Sequence, residues 1–364
     1  MMKYFLLSVF FLLVFFDAKS QLYESLDEPV RKTCFSKFLN DSVSVEILLP
    51  IEYSCSQMVS YPVFYLLDKQ NTVNYHYNLH TIDYLTTFGT IPNAIVIGIS
   101  FDPQKRTKWT VPDTLNGKAD KLIDFITREL YLELKKEYRV SGFNLLIGHS
   151  RTAIFSLYAI SRRPDFFNGV IASSASNFDF NDKYQKQQFR SYLDTLSKIQ
   201  KNHFIYFSSG LESHGDMHES ACDSLADYLK TKPVPKNLQW KYFKLNASHT
   251  TTPSQTVILS LVDIFSDYER CIHNCFEIIN SKTNSEKVPW EKFFGEYNKL
   301  SEKYSYELLP GLSFFFSIAS AYENDYNHLF NEKSLQFSEE VIDKGLEIYP
   351  NNKDLIEWKK GFDK

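Results

Sequence analysis

The sequence predicts an α/β protein, a mostly parallel sheet covered by helices on both faces and followed by a small all-helical region. Three observations predict it. Runs such as residues 61–68 (YPVFYLLD) and 93–99 (NAIVIGI) are apolar almost throughout, as a strand buried on both faces requires. Amphipathic helical stretches alternate with these runs, the pattern of strand–helix–strand units. From about Val288 onward strand patterns cease and the chain reads as helices rich in Tyr, Phe, Glu and Lys.

In chain order, residues 42–50 alternate and then turn apolar, a strand ended by Pro50. The buried strand 61–68 leads to a helix over 78–88 and the apolar strand 93–99. A polar loop carrying Arg106 and Trp109 precedes an amphipathic helix over 119–138, with Leu122, Ile123, Phe125, Ile126, Leu130 and Leu134 as its apolar positions. The run from Leu145 to Gly148 is a strand that stops at a serine and continues as a helix. Residues 169–174 form a short strand, and the polar segment 179–201 reads as a surface insertion or lid. Strand 203–210, a helix over 219–230, strand 238–245 and a helix through Phe265 complete the sheet region. A leader over 1–20, an α/β domain over 21–280 and a helical region over 285–364 are the expected divisions. The closing Tyr349-Pro350-Asn351 turn suits one tetratricopeptide-type helix pair, without a repeat at about 34 residues.

Gly148-His149-Ser150-Arg151-Thr152 is the stretch that carries chemistry. A serine on a sharp strand-to-helix turn presents its Oγ above a sheet, and the helix that follows aims unpaired N–H groups at the same place. The usual pattern is Gly-x-Ser-x-Gly, and here the fifth position is Thr152. A serine nucleophile needs an imidazole to take its proton, and the imidazole needs a carboxylate to fix its tautomer. In the α/β-hydrolase fold their chain order is Ser, acid, His. That order selects Ser150, Glu212 after the strand ending at Gly210, and His249 in the polar loop after the last strand, with Asp216 as the alternative acid. The expected oxyanion donors are the backbone N–H groups of Arg151 and Lys69. Arg106 either receives an anionic part of the substrate or pairs with an acid. His149 is read as packed. No metal site is expected: His214, Asp216 and His218 alternate along a loop and read as solvated, and the Cys271–Cys275 pair reads as apolar packing.

Composition bounds the rest. The 364 residues are 43% apolar with a formal charge of −4 and no basic stripe, which argues against nucleic acid as a partner. Lys3, the apolar run 4–16 and the small residues before Gln21 form a secretory leader with cleavage expected after Ser20, so a secreted or periplasmic location is expected. No later segment is long enough to span a membrane. Export permits disulfides, and five cysteines leave at least one unpaired.

Taken in order, YPVFYLLD, IPNAIVIGIS with Arg106 following, GKADKLIDFITRELYLELKKEY, LLIGHS, SGLE and ASHTTTP resemble the Putative esterase family of α/β-hydrolases, which includes enterobactin esterases and is related to S-formylglutathione hydrolase. The likeness spans residues 40–268 and is nearest to secreted members of Bacteroidetes-type bacteria with a C-terminal helical tail. It implies Ser150 as nucleophile, His249 as base and Glu212 as acid. The chain departs from the family pattern at two places: Lys69 replaces a glycine, and Arg151-Thr152-Ala153 replaces Leu-Gly-Gly. The expected function is hydrolysis of a small-molecule carboxylic ester through an acyl-enzyme, without a cofactor. A binding module on a hydrolase fold, with the C-terminal helices contacting a protein, and a serine peptidase are the alternatives.

Overall fold

Eight strands form one sheet, in the order β1-β2-β4-β3-β5-β6-β7-β8. The computed structural model describes residues 28–175, 183–212, 218–280, 287–329 and 332–362, so the leader lies outside the described residues. The strands are β1 (Val30–Ser36), β2 (Asp41–Leu48), β3 (Tyr61–Leu67), β4 (Ile95–Ser100), β5 (Val140–His149), β6 (Gly169–Ser173), β7 (His203–Ser209) and β8 (Leu238–Lys244). Strand β2 runs antiparallel to β1 and β4, and every pair from β4 through β8 is parallel. The parallel strands are the apolar runs: every residue of β3, β6 and β7 is buried.

Strand β1 has no counterpart among the sequence expectations. It is an edge strand whose residues are mostly exposed, with Arg31 and Lys32 among them, so it lacks the apolar run that marks the others. Helix α1 (Thr72–Thr87) starts a turn and a half before the expected one. The loop expected around Arg106 is helix α2 (Pro103–Thr110), started by Pro103 at its first position and by the Asp102 carboxylate, which accepts the Gln104 N–H at 2.8 Å. The helix expected over 119–138 is continuous over 119–137 and contains a π-turn at Phe125–Leu130; it is called α3.

Helix α4 (Arg151–Arg162) follows β5, α5 (Lys183–Leu196) follows β6, α6 (His218–Thr231) follows β7 and α7 (Thr252–Ile264) follows β8. The expected insertion over 179–201 is corrected: α5 buries Phe189, Tyr192, Leu193 and Leu196, four residues on one helical face that a solvated lid would leave wet. Residues 176–182 lie outside the described residues. All five cysteines are free thiols.

Helices α8 (Ser266–Asn280), α9 (Trp290–Tyr304), α10 (Leu312–Leu329), α11 (Glu332–Ile348) and α12 (Lys353–Phe362) make up the C-terminal part. One hydrophobic core runs from the sheet into them. Tyr304, fully buried, lies with its ring 6.1 Å from Phe143 of β5, 6.0 Å from Phe204 of β7 and 5.1 Å from Phe265, and its O–H donates to the Ile264 carbonyl at 2.9 Å. Phe143 and Phe204 open the apolar parts of their strands, so these helices cover the end of the sheet opposite Ser150.

Glu52 is buried where the two parts meet, accepting hydrogen bonds from Asn93 and from the backbone N–H of Leu312. Burial raises its carboxyl to about 7, the two hydrogen bonds opposing the rise. The folded state therefore holds a proton that the unfolded chain releases at its ordinary value of 4.5. The contribution is fully present below that value and is lost as pH rises through about 7. Glu52→Gln is expected to raise Tm above neutral pH and to leave it unchanged in acid. A Tm difference that does not vary with pH would contradict this.

Candidate active site

At Gly148, next to last in β5, the chain passes so close to the following helix that no side chain fits: a Cβ would lie 2.4 Å from the Thr152 carbonyl oxygen. The tight turn leaves Ser150 at φ 56°, a left-handed conformation that a residue with a side chain adopts only when its surroundings impose it. The Ser150 N–H donates to the Ser173 carbonyl at 2.8 Å, anchoring the turn on β6. Arg151 is the first residue of α4, where backbone N–H groups have no intrahelical partner and the helix dipole is positive.

Thr152 is fully buried, and its hydroxyl donates to Asp68 Oδ2 at 2.8 Å while accepting the His149 N–H at 3.0 Å. Asp68, at φ 64°, also accepts from Arg106 Nε and Nη2, both at 2.6 Å, and from Gln70 Nε2 at 2.7 Å. The residue in place of the motif's last glycine thus ties the serine turn to the loop after β3. Of the two roles left open for Arg106, the structure shows the ion pair: its Nε and Nη2 are engaged by Asp68. Thr152→Val keeps the shape and removes the hydroxyl, leaving the His149 N–H and one Asp68 oxygen without it. A loss of about 1–3 kcal/mol in chemical denaturation is expected, together with a lower kcat on a p-nitrophenyl ester. Unchanged stability and kcat would contradict it.

The assignment of Lys69 is also corrected. Its backbone N–H donates to the Ile99 carbonyl at 3.0 Å, one rung beyond the β3–β4 ladder, and is not available to an oxyanion. The Lys69 ammonium lies 3.3 Å from Glu46 Oε2, on the side of the β2 strand.

At the carboxyl end of β7, Gly210 lets two loops meet: a Cβ would lie 2.3 Å from the Ala247 carbonyl, which accepts the Leu211 N–H at 2.7 Å. This brings Glu212 to His249. The Glu212 side chain is 1% exposed, and its Oε1 lies 3.4 Å from His249 Nδ1. Ser174, at φ 47° just past β6, donates its hydroxyl to the same Oε1 at 2.5 Å and lies 3.0 Å from Thr252 Oγ1.

His149 Nε2 lies 2.7 Å from the His249 carbonyl oxygen, which can only accept, so the Nε2 atom carries the proton. Burial, with the neighbouring His249 adding to it, lowers His149 to about 4, so it is neutral and serves as a strut holding His249 beside the serine turn. The two rings are 4.8 Å apart. His218, read from sequence as a solvated loop residue, begins α6 and is held against the site: its ring is 4.2 Å from that of His249, and Nδ1 lies 3.2 Å from the Ser174 carbonyl and 3.8 Å from Glu212 Oε2. Burial and then His249 push its imidazole below the ordinary histidine range. Donor atoms of Glu212, His218 and His249 lie within 4.8 Å of one another. The sequence reading missed Ser174, Thr252 and His218; the position of Ser174 just beyond a parallel strand was the available signal. Asp216 and His214 lie outside the described residues.

Residues 36–248, more than half of the chain, match the family described as Putative esterase. The chain belongs to this family. This esterase is therefore a carboxylic ester hydrolase with a small-molecule substrate. Its fold is similar to that of an IroE-like serine hydrolase from Shewanella oneidensis, with 20% identity, a TM-score of 0.65, and 86% of this chain and 98% of that chain covered. A protein from Capnocytophaga ochracea is similar at 15% identity and TM-score 0.62, over 88% of this chain and 84% of that one. The siderophore hydrolase EstA from Aspergillus nidulans is similar at 16% identity and TM-score 0.53, over 65% of this chain and 94% of that one. No curated protein sequence matches the esterase. Among its described residues, no helix is long and apolar enough to cross a membrane.

Proposed function

We propose that this esterase is an exported serine hydrolase in which Ser150 is the nucleophile, His249 the general base and Glu212 the acid that orients it. The observation that carries the reading is the buried Glu212 carboxylate 3.4 Å from His249 Nδ1, in a loop strutted by His149 next to a left-handed Ser150. With a carboxylate on its Nδ1 side, His249 keeps its proton there and offers the Nε2 lone pair to the serine hydroxyl.

In the acylation step Ser150 Oγ attacks the ester carbonyl carbon while its proton passes to His249 Nε2. Negative charge builds on the carbonyl oxygen, and the Arg151 N–H at the positive end of α4 stabilises it. As the tetrahedral intermediate collapses, the carbon–oxygen bond to the alcohol breaks and His249 returns the proton to that oxygen. Water then attacks the acyl-serine, giving its proton to His249, and the acid leaves as Ser150 recovers its hydrogen. Side chains and water complete this cycle. Export rests on the leader expected over residues 1–20.

A fluorophosphonate probe tests the assignment because it reacts only with an activated serine. The expected result is one adduct, on the peptide that contains Ser150. No adduct, or an adduct on another serine, would overturn it.

A further inference from the structure

We propose that Glu212, His218 and His249 form a binding site for a late first-row divalent cation, with Zn2+ as its representative, and that occupation switches the esterase off. The proposal rests on the reading of His249 as the general base. Two imidazoles and a carboxylate are a donor set that suits zinc, with bonds of about 2.1 Å and donors roughly 3.4 Å apart in a tetrahedron. The separations here are 3.4 Å from His249 Nδ1 to Glu212 Oε1 and 3.8 Å from His218 Nδ1 to Glu212 Oε2, with donors of all three residues within 4.8 Å of one another. Small rotations of the two rings close the set and leave the fourth position to water.

A second observation points the same way. Among the described residues, Glu212 Oε2 has no hydrogen-bond partner, and its side chain is only 1% exposed. A desolvated carboxylate oxygen of this kind is costly unless something positive or protic faces it, and a cation between the histidines supplies that. His218 is not needed for proton transfer in the proposed cycle, yet it stands over the His249 ring with Nδ1 on the Glu212 side.

Inhibition follows from the tautomer. A cation on His249 Nδ1 takes the lone pair there, so the ring hydrogen must sit on Nε2. The nitrogen that should accept the Ser150 proton then carries one already. His218 shifts its own hydrogen from Nδ1 to Nε2 in the same way and releases the Ser174 carbonyl. Both rings stay neutral, no proton is released, and the loss falls on kcat with KM unchanged.

The test titrates the full chain with ZnCl2 during hydrolysis of p-nitrophenyl acetate in a non-chelating buffer. Zinc is expected to lower kcat reversibly, with activity restored by EDTA, and His218→Ala is expected to raise the half-inhibitory concentration about 10-fold or more. Absence of inhibition, or equal sensitivity of the parent and His218→Ala, would overturn the site. Co2+ binding to Ser150→Ala gives a readout independent of activity, and tetrahedral visible bands that zinc displaces are expected. Their absence overturns the cation site even where hydrolysis depends on Ser150. Their presence in a protein whose hydrolysis does not need Ser150 supports the cation site and removes the serine mechanism instead.

Discussion

Ser150→Ala is expected to lower kcat for a p-nitrophenyl acyl ester by on the order of 10⁶-fold. Oγ is the atom that forms the acyl bond, and alanine has nothing in its place. The substitution removes no buried contact on which the turn depends, since the backbone bond from Ser150 to Ser173 and the close approach at Gly148 remain. Alanine at φ 56° is no more strained than serine, so Tm should hold while turnover vanishes. Glu212→Gln is the informative companion. Its carboxamide still fills the site, but its NH₂ group favours the His249 tautomer with the hydrogen on Nε2, and a loss near 10⁴-fold is expected. Measured kcat values for the two variants within severalfold of the parent would remove the proposed mechanism.

Ending the chain at residue 287 is expected to abolish cooperative folding, although the family match ends at residue 248. Phe143, Phe204 and Phe265, each no more than 1% exposed, lie against Tyr304 of helix α9, and Phe143 also against Tyr306 beyond it. Losing one large buried aromatic costs about 3–5 kcal/mol, and a domain's whole stability is about 5–15 kcal/mol. Removing the cover from several at once exceeds that margin. The buried Glu52 would lose the Leu312 N–H in the same step. Circular dichroism should show no cooperative melt, and a hydrophobic dye should bind the shortened chain. A sharp thermal transition with parental kcat would show instead that the sheet closes without these helices.

Legibility followed the physics of each element. Strands β3, β4, β6 and β7 read directly because burial on both faces leaves little but apolar residues. β1 did not, since an edge strand with polar neighbours carries no such run. The helix at Arg106 was hidden by low apolar content, because α2 is started by local capping and buries chiefly Trp109 and Thr110. Ser150, Glu212 and His249 are the candidates that chain order selects. Glu212 and His249 lie on loops that meet only because Gly210 permits it, which the sequence expresses as one glycine among twelve. The Lys69 assignment failed because a backbone N–H can join a ladder or face a ligand, and only strand register decides between them.

The sequence by itself determined the α/β class, the strand-to-helix serine turn and the chain order of the candidate residues Ser150, Glu212 and His249, all of which are local patterns or orderings along the chain. The tertiary structure decided that Thr152 braces the turn through Asp68, that Arg106 is held by the same carboxylate, and that His218 joins Glu212 and His249. Most of these contacts join residues far apart in the chain, and all are set by register and loop approach. No local periodicity encodes them, because each side chain's partner is fixed by where the sheet places it.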